Sequence, residues 1–301
     1  MIEVEGLSKD YGDVRAVDDL TFVVQPGIVT GFLGPNGAGK STTMRMIVGL
    51  DTPTAGTALI AGRHYREFTR PLTQVGALLD AKAVHPNRSA ANHLRWLAQS
   101  NGLPPQRVDE VLDLVGLSGV ARKKAGGFSL GMGQRLGLAG ALLGDPRILV
   151  LDEPVNGLDP EGIRWVRGLL KTLASEGRTV LISSHLLSEM ALTADRLIVI
   201  GRGKLVADTT TEEFIRQHSA QTVLVRAEDQ AGLAAHLTAA GLDVSANGQG
   251  LDVADSSTEE VGALAFTGGF QLHELSMRQA SLEDAFMDST GQAVQYQARK
   301  D

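Results

Sequence analysis

The chain has 301 residues, of which 43% are hydrophobic and 21% charged. This is an ordinary globular composition, sufficient for one large domain accompanied by a smaller one. Cysteine is absent, which excludes disulfides, zinc–thiolate sites and thiol nucleophiles. We find neither an apolar run of roughly 18 residues, as a membrane-spanning helix needs, nor the apolar segment of a secretory signal. We therefore expect a cytoplasmic protein.

The formal net charge of −7 is unevenly distributed along the chain. Residues 219–301 contain 12 acidic and 4 basic side chains, whereas residues 1–218 are close to neutral. An acidic surface repels phosphate backbones, so we expect no nucleic-acid partner. The change in charge also predicts a boundary between a domain of residues 1–218 and a second of residues 219–301.

Apolar patterns in the first domain predict alternating strands and helices. Three consecutive stretches with helical spacing lie between the early strands and the later ones, and they predict a helical subdomain at about residues 82–143. The expected class is α/β, with antiparallel strands first and a helical insertion later. The predicted strands are 2–7, 20–24, 28–33, 57–61, 74–79, 147–151, 179–183 and 196–200. The predicted helices are 40–50, 89–102, 104–115, 136–143, 160–173 and 186–194.

The sequence pattern of the second domain predicts a smaller α+β unit. Its elements follow the order βαββαβ, which is typical of a ferredoxin-like fold. The predicted strands are 223–226, 243–246, 251–254 and 271–275, and the predicted helices are 231–240 and 258–266. A last amphipathic helix is expected at 281–287, with Leu282 and Phe286 on one face.

A glycine-rich loop connects the third predicted strand to the first predicted helix. Its sequence, GPNGAGKST, fits the phosphate-loop pattern G-x-x-x-x-G-K-[ST]. The glycines let backbone N–H groups surround phosphates, and the positive end of the helix dipole adds to the attraction. We predict binding of ATP and Mg²⁺, with Lys40 on the β- and γ-phosphates and Ser41 on the metal. The predicted nucleotide contacts in this loop are Gly34, Asn36, Gly37, Ala38, Gly39, Lys40, Ser41 and Thr42.

A second motif ends the apolar strand at 147–151. Asp152 follows this strand and is placed to hold magnesium, usually through water. Glu153 is adjacent and is placed to accept a proton from the attacking water. The alternative is that Glu153 only forms a surface salt bridge.

With these motifs in order, the first 215 residues or so resemble the ATPases of ABC transporters. The stretch FSLGMGQRLGLAGAL resembles the signature that separates this family from other phosphate-loop proteins. The resemblance implies adenine contacts at Tyr11 and Val17, and a γ-phosphate contact at His185. It also implies that Ser129 and Gly131 of the signature, and Asp159 of the D-loop, take part in binding. Tyr11 has an alternative reading as a half-buried strand aromatic, and Asp159 as a helix cap, which is compatible with the implied role.

Two positions depart from the family pattern. Leu130 replaces the first signature glycine and Met132 the following glutamine, while Asp80 stands where the family has a glutamine that contacts magnesium. Asp80 remains a candidate metal ligand because its carboxylate can bind the ion or its water. These departures, together with SLEDAFMDSTG near the end of the chain, resemble the drug- and antibiotic-export branch of the family.

The resemblance implies a head-to-tail dimer of two copies of the chain. ATP on the phosphate loop of one copy would be covered by the signature of the other, and the motion would pass to a separate membrane permease. The expected contact is the insertion at about residues 82–99, which alternatively is a plain solvated helical lid. The implied function is ATP hydrolysis that drives export of a drug, antibiotic or lipid-like compound, at the inner face of the cell membrane.

Two other functions stay open at this stage. A soluble ABC ATPase acting on ribosomes or DNA would share the cassette, although such proteins carry two cassettes, long coiled coils or zinc-binding cysteines. An unrelated phosphate-loop kinase would share only the loop, and the signature and His185 argue against it. For the acidic second domain, the alternatives are control of the dimer, control of the ATPase, contact with the permease, or simple stabilisation.

Overall fold

We describe a computed structural model, which covers residues 1–81, 83–185, 187–217, 222–248, 250–278, 282 and 286. The chain forms two compact units, one within Met1–Thr211 and the other within Glu212–Ser289. The boundary predicted after His218 lies outside the described residues and stays a prediction. Among the helices described, none is both long and apolar enough to cross a membrane.

The first unit begins with a three-stranded antiparallel sheet. Its strands are β1 (Ile2–Tyr11), β2 (Val14–Val24) and β4 (Ala55–Ile60), in the order β2-β1-β4. Apolar side chains of these strands pack on Phe32 and Met44 in a common core. This sheet therefore covers the phosphate loop's own strand and helix from one side.

A six-stranded sheet forms the centre of the first unit. Its strands are β3 (Val29–Leu33), β5 (Val75–Leu78), β6 (Ile148–Leu151), β7 (Thr179–Ser183), β8 (Arg196–Gly201) and β9 (Lys204–Thr210). The order is β5-β6-β7-β3-β8-β9, and all neighbouring pairs are parallel except β8 with β9. Strands β3, β6 and β7 are buried at every position, as expected for a sheet covered on both faces.

Six helices are described in the first unit: α1 (Lys40–Ile47), α2 (Ala90–Ser100), α3 (Gln106–Leu114), α4 (Leu130–Leu142), α5 (Pro160–Ser175) and α6 (Leu187–Thr193). A seventh helix, α7 (Thr211–Gln217), begins at the boundary and belongs almost entirely to the second unit. Helix α4 starts six residues before its predicted start at Leu136. The reason is a cap: the Ser129 hydroxyl accepts a hydrogen bond from the Met132 N–H, and capping outweighs the three glycines of the first turns.

The second unit has the predicted βαββαβ order. Its elements are β10 (Thr222–Ala227), α8 (Gln230–Ala239), β11 (Asp243–Asn247), β12 (Gly250–Ala254), α9 (Thr258–Thr267) and β13 (Leu272–Arg278). The antiparallel sheet has the order β11-β12-β10-β13, which is the ferredoxin-like arrangement. Its core joins one face of the sheet to both helices through side chains that include Val223, Leu237 and Val261.

Two elements of the structure were not predicted, and two predicted helices lie partly outside the described residues. Strand β9 and helix α7 were not predicted, because β9 is mostly exposed and polar and forms by pairing with the open edge of β8. Residue 186, the predicted start of α6, is outside the described residues. Of the predicted helix 281–287 only Leu282 and Phe286 are described, and both are helical and buried.

A core substitution tests the packing of the second unit. Leu237→Ala removes a fully buried side chain and should lower the free energy of unfolding by about 2–5 kcal/mol. Hydrogen–deuterium exchange should then quicken in α8 and α9. Phe266→Ala on the same unit is the control, because Phe266 is 85% exposed. Equal exchange in the two variants would contradict the assigned core.

Candidate active site

The phosphate loop lies at the carboxyl end of β3, directly before α1. Gly37 and Gly39 have φ angles of 81° and 104°, in the left-handed region that favours glycine. A β-carbon at Gly39 would also meet the Ala16 carbonyl oxygen at 2.5 Å. The loop conformation therefore requires glycine at 39, and the backbone turns directly into helix α1 at Lys40.

Most of the predicted phosphate-binding residues border one open cavity of about 290 Å³. The cavity also includes the two acids that follow β6, so the structure brings the two main motifs together. Its lining residues are Ala16, Asn36, Gly37, Gly39, Lys40, Ser41, Thr42, Asp152 and Glu153. Gly34 and Ala38 are buried behind this surface, where the Ala38 carbonyl accepts a hydrogen bond from the Gly203 N–H at 3.0 Å.

The Lys40 side chain folds back on the phosphate loop and binds two of its carbonyl oxygens. Its Nζ donates to the Gly34 carbonyl at 2.6 Å and to the Pro35 carbonyl at 3.2 Å, and the side chain is only 8% exposed. Burial lowers the pKa of the Lys40 ammonium, and the negative charges of Glu153 and Asp152 oppose that change. An ammonium that is partly desolvated in this way interacts strongly with an arriving phosphate.

Ser183, which we did not single out from the sequence, links the two acids of the site. Its hydroxyl donates to Asp152 Oδ1 and accepts a hydrogen bond from the Glu153 N–H at 2.9 Å. Ser183 ends β7, and β7 pairs with β6, so the sheet itself places this residue beside Asp152. A polar residue directly after the apolar run 180–182 is the sequence signal that could have identified it.

Glu153 and His185 form a close pair at the ends of these neighbouring strands. His185 Nδ1 lies 2.6 Å from Glu153 Oε2, and the His185 N–H donates to the same oxygen at 3.3 Å. Glu153 has a φ of 51°, a left-handed conformation that costs a non-glycine residue about 1–2 kcal/mol. Such a conformation persists only where several contacts fix it, and it is frequent at functional sites.

Tyr11 belongs to a polar network next to the end of α1. Its hydroxyl donates to Asp51 Oδ2 at 2.8 Å, and Asp51 also binds Arg45 at 2.8 Å. The ring is about half exposed and Lys9 Nζ lies 5.0 Å from its centre. Val17 is fully buried in the core, and its neighbour Ala16 lines the phosphate cavity. The adenine contacts of Tyr11 and Val17 stay predictions.

The remaining predicted residues lie outside the phosphate cavity. Ser129, the cap of α4, borders a separate open groove of about 380 Å³. Asp159 caps α5 by accepting a hydrogen bond from the Gly162 N–H at 2.9 Å. Gly131 lies close to the Gly157 carbonyl. Asp80 is exposed two residues beyond β5, whose last residue, Leu78, accepts a hydrogen bond from the Asp152 N–H.

Comparison with known proteins gives the family. The ABC transporter family model matches residues 17–156, and a domain of unknown function, DUF8746, matches residues 221–283. The ABC transporter ATP-binding protein YhcH of Bacillus subtilis, itself uncharacterized, is 38% identical over 97% of this chain and 96% of its own length. The bacitracin transport ATP-binding protein of Bacillus licheniformis is 43% identical over 69% of each chain.

Solved structures agree with this result. A structure described as the ATP-binding subunit of an ABC transporter superposes with a TM-score of 0.66 at 29% identity, covering 72% of this chain and 92% of its own. The chain therefore belongs to the ATP-binding proteins of ABC transporters. It binds ATP and hydrolyses it in the service of transport, as the sequence predicts.

Ser183→Ala tests the link between the two acids. The substitution leaves the Glu153 N–H without its partner, which should destabilise the fold by about 1–3 kcal/mol. It should also slow ATP hydrolysis, because Asp152 and Glu153 lose their common anchor. Urea unfolding and steady-state ATPase rates measure the two effects. Ser175→Ala, at an exposed serine, is the control, and a result indistinguishable from it would contradict the link.

Proposed function

We propose that the chain is the ATP-hydrolysing subunit of an exporter, active as a head-to-tail dimer of two copies beneath a membrane permease. The observation that carries this proposal is the cavity that joins Lys40 and Ser41 to Asp152 and Glu153. The cavity contains a phosphate-binding half and an acid-base half, which is the minimum for phosphoryl transfer to water.

In the proposed reaction, ATP lies with its phosphates on the loop and Lys40 faces the β- and γ-phosphates. A water oxygen attacks the γ-phosphorus, the bond from that phosphorus to the bridging oxygen of ADP breaks, and Glu153 accepts the proton of the water. His185 holds Glu153 Oε2 by two contacts. It thereby orients the carboxylate, and we keep its contact with the γ-phosphate as part of the proposal.

The residues of this site fit a magnesium ion that is shared with the nucleotide. Ser41 and Asp152 supply oxygen ligands on one cavity, and Mg²⁺ is usually held by one or two protein oxygens, phosphates and water. Within the described residues no group of three or more acidic or histidine side chains could hold a metal by itself. When bound, the ion would neutralise charge on the phosphates. Asp80 is the further candidate ligand.

The dimer is proposed because three predicted nucleotide contacts from the later motifs, Ser129, Gly131 and Asp159, do not border the phosphate cavity. Ser129 lines a separate groove, yet it stands at the N-terminus of α4, where N–H groups and the helix dipole attract anions. A second copy of the chain can bring that terminus over the phosphates of the first. The site is then complete only in the dimer, with Gly131 and Asp159 close to the same interface.

Export is proposed from the relatives. The Bacillus licheniformis relative serves bacitracin transport, and we extend the chemical class, a drug, antibiotic or lipid-like compound, to this chain. We propose that the permease contacts the segment at about residues 82–99 and holds the chain at the inner face of the membrane. The soluble ABC ATPase acting on ribosomes or DNA is not favoured, because the relatives described above are named as transporter or transport proteins.

Glu153→Gln tests the general base. The amide keeps the size of the side chain but cannot accept the proton, so ATP binding should persist while steady hydrolysis falls by at least about 100-fold. An ATP-stabilised dimer should accumulate, visible by size-exclusion chromatography. Glu161→Gln, at an exposed acid near the start of α5, is the control. Turnover of Glu153→Gln at the wild-type rate would show that the base is wrongly assigned.

Mixing two inactive variants tests the shared site. Lys40→Ala disables the phosphate loop, and Ser129→Asp keeps a capping side chain while placing a negative charge against the phosphates. Each variant alone should be inactive, but random mixing should restore about a quarter of the wild-type sites, since half of the dimers then have one intact site. Ser175→Asp, which adds the same charge at an exposed serine of α5, is the control and should keep activity. A mixture no more active than its components contradicts the head-to-tail arrangement.

A further inference from the structure

Glu153 is held at its carbonyl by a residue from the helical subdomain. Gln134 Nε2 donates to the Glu153 carbonyl oxygen at 2.8 Å, and the Asn156 N–H donates to the same oxygen at 3.1 Å. Gln134 is 4% exposed and lies in the second turn of α4. The hydrogen bond gives the buried Gln134 amide a polar partner. It also fixes the orientation of the Glu153 carbonyl, whose backbone is in a strained conformation.

The same face of α4 touches the other end of this segment. Leu130 precedes Gln134 by four residues, so the two side chains lie one above the other on the helix. A β-carbon at Gly157 would overlap the Leu130 side chain, and Gly157 has a φ of 74°. Leu130 therefore packs into the space that this glycine leaves open. This contact gives a structural role to the leucine that replaces the first signature glycine.

We propose that Gln134 is a positioning residue for Glu153, and that Leu130 supports it by fixing Gly157. Helix α4 thus holds residues 153–157 at both ends, and the start of this helix also carries Ser129. A second copy that docks on Ser129 would act on the same helix that sets the general base. The inference rests on the proposed role of Glu153 as that base. Its physical basis is that small displacements of a reacting group reduce rates steeply.

Removal of the amide gives the first test. Gln134→Met in the full chain keeps the length and burial of the side chain but lacks the donor. We expect kcat for ATP hydrolysis to fall by about 10- to 100-fold, with the Kd for ATP changed by less than about twofold. Leu138→Met, a conservative change at a buried position of the same helix, is the control and should keep kcat. Wild-type kcat in Gln134→Met, or a loss confined to ATP affinity, overturns the proposal.

Gln134→Glu gives a test that a purely structural role would not satisfy. The introduced carboxyl donates to the Glu153 carbonyl only while it is protonated, and burial raises its pKa. The ratio of its kcat to that of the wild type at the same pH should therefore rise as the pH falls from about 8 to about 5.5. Dividing by the wild-type rate removes the pH dependence that the two proteins share. A ratio that does not vary with pH, with the fold intact by circular dichroism, overturns the proposal.

The contact between Leu130 and Gly157 is tested by enlarging one side chain and shrinking the other. Gly157→Ala should lower kcat because its methyl group collides with Leu130, and Leu130→Gly combined with it should restore part of the loss. Gly177→Ala is the matched control: Gly177 has a φ of 87° but open space around a β-carbon. No restoration in the double variant would remove Leu130 from the proposal.

Comparison with Glu153→Gln distinguishes a wrong role for Gln134 from a wrong role for Glu153. If Glu153→Gln abolishes hydrolysis and Gln134→Met does not reduce it, the role of Gln134 is wrong while the proposed function stands. If Glu153→Gln retains hydrolysis, the proposed base is wrong, and a rate loss in Gln134→Met cannot then be assigned to positioning of Glu153.

Discussion

The parallel pairing of β6, β7 and β3 is the constraint on which the active site depends. Parallel neighbours place their carboxyl ends at one edge of the sheet. This edge brings together three segments that are far apart in the sequence: the phosphate loop, the Asp152–Glu153 pair and the Ser183–His185 stretch. The strands are fully buried, so hydrophobic burial on both faces stabilises the edge that carries the polar chemistry.

The polar groups at this edge are arranged around one strained residue. Glu153 has its N–H, its carbonyl and its carboxylate engaged by Ser183, Gln134 and His185 respectively. Each partner comes from a different element, so the conformation of the proposed base depends on the positions of β7, of α4 and of the segment that follows β7. A left-handed glutamate held from three directions is a rigid acceptor for a proton, and it is sensitive to displacement of any one of these elements.

The family relationship and the local geometry support different conclusions. Family membership rests on relatives that extend over nearly the whole chain, and it establishes the ATPase of a transporter. The dimer is a proposal that the site supports through the capped start of α4, whereas the permease and the exported compound are proposals that rest on the relatives. The second unit adds a ferredoxin-like sheet with a separate core, and the matching family model leaves its function open.

Local sequence patterns predicted much of the fold and the main residues of the active site. The glycine spacing, Lys40, the apolar strand before Asp152 and the βαββαβ order were readable because each depends on neighbours within a few residues. Helices α1 and α5 and strand β7 lie close to their predicted positions for the same reason. Strand β2 begins at Val14, six residues before its predicted start, and β1 continues to Tyr11, four residues beyond its predicted end. Helix α4 was predicted too late, because the Ser129 cap outweighed its glycines, and β9 was missed because it forms only against the open edge of β8.

Tertiary structure decided which side chains meet. Val17 and Ala16 are adjacent in sequence, but the pleat buries the first and exposes the second to the phosphate cavity. The contacts of Ser183 with both acids, and of Gln134 with Glu153, cross 19 to 31 positions of the chain. The sequence by itself determined the chemistry available, since loop, acids and histidine are fixed by type and spacing. Only the tertiary structure decided how that chemistry is oriented, because strand pairing and helix packing bring distant residues within hydrogen-bond distance.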